Sequence, residues 1–185
     1  MIGPNAIIQL ADVMEARLGP ARAAEIMARA CVAPPSGDEM IPEGEAARLH
    51  ARLRREEPDR AAALAAEAGR RTADYILANR IPRAAQAILR LSPPPLAARL
   101  LARAIERHAW TFAGSGAFRA VDPWRFEITR NPLIRGETSE TPLCLWHAAV
   151  FARLHVALVH RNARCEETCC AAAGGGVCRF EVRID

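Results

Sequence analysis

The chain changes texture once, near residue 110, and that break limits what it can fold into. Before it, apolar residues recur every three or four positions; after it, aromatic and β-branched residues alternate with polar ones. "NAIIQLADVMEARLG" puts Ile7, Ile8, Leu10, Ala11 and Met14 on one stripe, with Gly19 as a C-terminal stop. "PARAAEIMARACVA" follows from Pro20, a favoured first-turn residue. After the turn-rich "APPSGDEMIPEGE", four more helices are predicted in "EGEAARLHARLRREE", "PDRAAALAAEAGRRTADYILANR", "IPRAAQAILRL" and "PPPLAARLLARAIERHAW". The triple proline Pro93–Pro95 separates the last two.

Beyond the break, "WTFAGSGAFRAVD" and "WRFEITRNP" read as a hairpin turning near Asp122-Pro123. "TPLCLWHAAVFARLHVALVH" reads as a helix opened by Thr141 as cap and Pro142 in the first turn. "ARCEETCCAAAGGGVCRFEVRI" reads as two strands around Gly174-Gly175-Gly176. Helices, hairpin, helix, hairpin is an α+β order: a helical layer packed on an antiparallel sheet of about four strands, in a single domain. Residues 1–109 form its mainly helical part, and residues 110–185 form a hairpin–helix–hairpin part that carries the metal site described next.

Four of the six cysteines, at 165, 169, 170 and 178, fall within "RCEETCCAAAGGGVCRF", together with Glu166 and Glu167. Three thiolates and a carboxylate suit a tetrahedral zinc. Cys144, at the start of the 142–160 helix, is the nearest partner outside the run, and the helix dipole favours a thiolate there. A site joining that helix to the last hairpin pins two distant segments, the usual task of a structural metal. On a regular strand Cys165, Glu167 and Cys169 share one face and Cys170 takes the other, so periodicity favours Cys169. Ligation by both Glu167 and Cys170 requires a bulge or turn. His147, three residues after Cys144, is an alternative to Glu167.

Charge and compartment add exclusions. All 25 basic residues are arginine and the net charge is +4, with acids interleaved at helical spacing. Surface ion pairs account for that pattern, and no nucleic-acid partner is expected. No apolar run approaches the roughly 20 residues of a membrane span. "MIGPNAIIQLADVMEARLG" lacks the basic start and cleavage site of a signal peptide, so a cytoplasmic location is expected. In that reducing setting, clustered cysteines point to metal or redox chemistry rather than to disulfides.

From "NPLI" to its end the sequence resembles the 4-vinyl-reductase domain family, a small-molecule-binding module also found in phenol-responsive activators. The pattern is a helix-borne Cys, then Glu-x-x-Cys, seven residues, and Cys before an aromatic strand. This sequence supplies Cys144, Glu167, Cys170, Cys178 and Phe180. The resemblance implies that the first four hold a structural zinc, choosing Cys170 over Cys169. With its "IGPNAIIQLADVM" opening, the whole chain looks most like the members of this family that serve bacteriochlorophyll biosynthesis. The resemblance further implies a homodimer, with the "NAIIQLADVM" helix as its apolar surface, and other enzymes of the pathway as partners.

The family name suggests vinyl reduction, yet the residues offer no hydride-donor site. "AAAGGGVC" lacks G-x-G-x-x-G spacing and lies between strands, and the cysteines lack ferredoxin spacing. The expectation is therefore a non-catalytic protein that binds a magnesium porphyrin or chlorophyllide. The alternative is a divinyl chlorophyllide vinyl reductase. Trp110, Trp124, Phe126, Trp146 and Phe151, with Phe112 and Phe118, are the candidate lining of an aromatic pocket. The resemblance adds weight to Trp124. His108 and His155 are candidate axial ligands or propionate partners.

Overall fold

In chain order, the computed structural model, which describes residues 1–37 and 39–185, runs through six helices, a short helical turn, a hairpin, a long helix and a second hairpin. The helices are α1 (Asn5–Leu18), α2 (Pro20–Arg29), α3 (Glu43–Glu56), α4 (Pro58–Asn79), α5 (Arg83–Leu91), α6 (Pro94–Arg107) and the turn α7 (Trp110–Ala113). Strands β1 (Ala117–Asp122) and β2 (Arg125–Thr129) precede α8 (Leu145–Leu158), and β3 (Ala163–Cys169) and β4 (Cys178–Ile184) follow it. Proline opens α2, α4 and α6, where its missing N–H costs nothing. The fold is α+β, a helical part against one four-stranded antiparallel sheet of order β1-β2-β4-β3.

α8 is the middle layer. One side lies on the sheet, where Phe126 and Ile128 of β2 and Cys178, Phe180 and Val182 of β4 point inward. The other side lies on α4, whose buried face is built mostly from small residues: Ala61, Leu64, Ala65, Ala68, Gly69, Thr72 and Ala73. A side-chain carbon on Gly69 would collide with the Trp146 carbonyl and with Ala149 of α8, so this crossing depth requires glycine.

Three local expectations change. The residues from Trp110 to Ala113 form a helical turn rather than the start of a strand, and β1 begins only at Ala117. Ala113 is buried there, and Gly114, at φ 56°, reverses the chain into the sheet. α8 begins at Leu145, not at Pro142, with Cys144 as its N-cap residue. The segment before it is held elsewhere: Ser139 N–H donates to the Ala172 carbonyl at 2.8 Å. Finally, the α1 stripe is not a free surface. Ile7, Leu10, Val13 and Met14 are fully buried inside the chain, against a core that includes α4, so the face expected for pairing is internal.

Candidate metal centre

Cys144, Glu167, Cys170 and Cys178 converge, with one potential ligand atom from each lying within 4.8 Å of the others. Each arrives by a different local device. Cys144 caps α8, Cys178 opens β4, and Glu167 lies in β3 opposite Phe180. Between Glu167 and Cys169 the pairing slips, so that two residues of β3 stand against one of β4 and Cys169 pairs with Arg179. This bulge reverses the alternation and returns Cys170 to the inner side, where it is buried. Gly175 completes the turn, since a side-chain carbon there would overlap the Cys169 sulfur and the Cys170 backbone.

The support around the cluster is polar and directed. The Cys144 N–H donates to Glu167 Oε2 at 2.6 Å, so the carboxylate takes the amide at the α8 N-terminus. Buried Asn131 donates its side-chain N–H to the Cys144 sulfur at 3.2 Å and toward the Cys178 sulfur at 3.8 Å. Its Oδ1 accepts from the Leu133 N–H at 3.1 Å, which fixes the amide orientation. Asn131 was missed in the sequence, where "NP" reads as a turn.

Protonation follows from crowding. Cys144 is held well above the usual thiol range, chiefly because its proton is shared with the Cys170 and Cys178 sulfurs and because it is buried. Those two thiols are drawn down, in each case first by the hydrogen bond from Cys144. Burial pushes Glu167 up to about 9. Four acidic groups in one buried space cannot all ionise without a cation.

The arrangement fits a tetrahedral divalent metal. Zinc–sulfur bonds of about 2.3 Å put tetrahedral sulfurs roughly 3.8 Å apart. The Cys144 and Cys178 sulfurs are 3.4 Å apart, and the whole set stays within 4.8 Å. Glu167 Oε1 is buried without a hydrogen-bond partner, as an oxygen reserved for an ion would be.

The remaining thiols stay apart from the cluster. Cys169 donates its S–H to the Gly175 carbonyl at 3.4 Å, and burial pushes Cys165 up to about 12. His147 points into the aromatic interior, 5.9 Å from the Phe180 ring, and is not among the converging groups. Both of its nitrogens are buried and unbonded, and the Phe112 carbonyl faces it without closing a hydrogen bond.

The aromatic residues divide into two groups. Phe112, Phe118, Phe126, Phe151 and Phe180 pack ring on ring at 5.1–6.0 Å, with His155 joining Phe126 at 5.8 Å. Trp124, half-buried, closes one edge of this interior, 6.2 Å from His155. Trp146 is buried on the His50 side of α8. Trp110 and His108 lie at the surface, outside the group, with Trp110 58% exposed. Two grooves open elsewhere. One of about 520 Å³ lies between α4, α5 and α8, and one of about 220 Å³ between α3, α4 and the segment before α8.

Residues 124–184 match the 4-vinyl-reductase domain family. The chain is 52% identical over 184 residues to the bacteriochlorophyll synthase 23 kDa chain of Cereibacter sphaeroides, covering 98% of this chain and 89% of that one. The Rhodobacter capsulatus protein of the same name is 47% identical over 182 residues, covering 97% and 85%. In fold, an Fe(II) unliganded H-NOX protein variant from K. algicida superposes with TM-score 0.65 at 9% identity, over 100% of this chain and 97% of that one. A second H-NOX structure, concerned with heme distortion, gives 0.59 at 9% identity over 100% and 95%. At such identity the likeness shows an H-NOX-like fold and nothing further.

Proposed function

Since this chain belongs to the family of the bacteriochlorophyll synthase 23 kDa chains, with their 4-vinyl-reductase domain, we propose that it is an accessory binding protein of bacteriochlorophyll biosynthesis. It holds a magnesium-tetrapyrrole intermediate for the enzymes of the pathway, and a structural zinc at Cys144, Glu167, Cys170 and Cys178 secures its fold.

The state of His155 carries the ligand reading. Its Nδ1 lies 2.8 Å from the Phe151 carbonyl, which can only accept, so the proton sits on Nδ1. Nε2 is then a bare lone pair, buried and without a partner among aromatic rings. Burial lowers the ring to about 4, so it stays neutral at physiological pH. A neutral imidazole with its other nitrogen anchored is the form that ligates a metal ion. A flat macrocycle entering past Trp124 would meet apolar faces and this nitrogen. H-NOX proteins, described by their heme, share the fold.

Zinc at the cluster would supply a closed cross-link between the start of α8 and the β3–β4 hairpin. Four protein donors fill a tetrahedral shell, which is the pattern of structural rather than catalytic zinc. Around it, Asn131 and the Cys144 N–H orient the donors.

Absorbance titration with a magnesium tetrapyrrole such as divinyl chlorophyllide tests the binding role. Trp124→Ala and His155→Ala should each weaken binding while leaving metal content unchanged; equal affinity in both variants would move the ligand away from this edge. Incubation with divinyl substrate and both nicotinamide donors tests the alternative. Monovinyl product formed by the pure protein would replace the binding role with that of a reductase.

A further inference from the structure

Charge and exposed apolar surface are concentrated on one element. The segment from Arg83 to Arg107, α5 and α6 with their short connection, holds five arginines and a single acid, Glu106. Its formal charge of +4 equals that of the entire chain, because the remaining 20 arginines match the remaining 20 acids. Among the described residues, 14 of those other 20 arginines make ion pairs. Arg83, Arg90, Arg99, Arg103 and Arg107 are all exposed and none is ion-paired; Arg90 bonds only to the Ala157 carbonyl and the Gln86 amide oxygen. Glu106 is itself engaged, accepting from the Ala120 N–H at 2.9 Å.

The same stretch carries most of the large apolar side chains left in water. Ile88, Leu91, Leu96 and Leu100 on α5 and α6, with Trp110 just beyond, are five of the eight exposed large hydrophobics, and Leu91 is 87% exposed. On α6 the exposed Leu96, Leu100, Arg103 and Arg107 follow each other at spacings of three and four, opposite the buried Ala97, Ala98, Leu101 and Ile105. Elsewhere the chain buries its apolar stripes and pairs its arginines. A helix pair that does neither matches a surface that is apolar below and anionic above.

We propose that the α5–α6 hairpin docks the protein peripherally on an anionic lipid bilayer, with Ile88, Leu91, Leu96 and Leu100 entering the headgroup boundary and the five arginines contacting lipid phosphates. No helix of the chain is long and apolar enough to cross a membrane, so this attachment is interfacial. A membrane carrying negative lipid attracts each such arginine, and the short apolar side chains add grip only once the helices are in contact.

Co-sedimentation of the full chain with vesicles tests this. Phosphatidylcholine vesicles with about 30% phosphatidylglycerol should bind the protein, pure phosphatidylcholine should bind it far less, and about 0.5 M salt should release it. Arg99→Gln, Arg103→Gln and Arg107→Gln together should weaken binding on the order of a hundredfold. Leu91→Asp should weaken it about tenfold or more, whereas Ile184→Asp, an exposed apolar site at the far end of β4, should not. Melting temperatures should stay unchanged, since all these side chains lie at the surface. Trp110 should report contact as a fluorescence blue shift that Trp110→Phe removes. Equal binding to neutral and anionic vesicles, or unchanged binding after the triple arginine substitution, would overturn the proposal. So would Leu91→Asp dissociating a dimer in the absence of lipid, which would make the face a contact between copies.

Discussion

The two ends of α8 meet the same sheet through opposite chemistry. At its N-terminus, three sulfurs, a carboxylate, the Asn131 amide and a backbone N–H converge on one point. Further along, Phe151 and His155 sit among Phe118, Phe126 and Phe180 at ordinary ring-packing distances. The first end concentrates polar groups that cannot satisfy one another; the second has few polar atoms, and only the bare Nε2 of His155 lacks a partner. A site announces itself by donors with no internal answer, not by aromatic content.

Cutting the polar end should produce the largest effect. Cys178→Ser should abolish metal retention and lower the melting temperature by about 10 °C or more, because a closed site contributes folding free energy directly. Cys169→Ser, one residue outside the cluster, should leave both unchanged. Equal losses in the two variants would erase the distinction between the cluster and its neighbours.

The seam under both ends comes next. Gly69→Ala forces α8 off α4 at Trp146, between the two regions, and should cost roughly 1–3 kcal/mol. Metal stoichiometry should persist while melting shifts by several degrees. A neutral substitution would mean that α8 does not sit at this depth.

The apolar end should reveal itself in acid. Burial lowers His50 to about 3 and His147 and His155 to about 4. Folded values below the unfolded one mean that the stability these groups contribute is fully present above about 6.5 and drains away as pH falls toward 4. Three such groups give a slope of up to about 4 kcal/mol per pH unit. His147→Leu should flatten the melting-temperature profile between pH 6.5 and 4 by about a third. An unchanged profile would show that the ring is hydrated rather than enclosed.

Asn131→Ala is expected to have the mildest effect, weakening metal affinity about 10- to 100-fold without unfolding the protein. No change in affinity would reduce its bonds to sulfur to packing.

How much of this was legible in the sequence follows the same divide. The break at residue 110, the proline-opened helices and the two hairpins are local signals, and they appear where chain chemistry puts them. Cysteine spacing marked the cluster, since few other arrangements explain four thiols in fourteen residues. The bulge after Glu167 was visible only as a requirement, because its position depends on how β3 meets β4. Aromatic residues were less informative. Alternation says that Phe126 and Phe180 point inward, but not whether the space they face is filled, and nothing local placed Trp110 at the surface. The α1 stripe misled for a related reason: its cover comes from a helix some fifty residues away.

The most direct test is metal analysis of protein purified without chelators, paired with X-ray absorption at the zinc edge. The expected result is one zinc per chain with three sulfurs near 2.3 Å and one oxygen near 2.0 Å, about the distances of a closed Cys₃Glu shell. Protein that folds and melts normally with no metal, or a zinc surrounded mainly by nitrogen and oxygen, would contradict it.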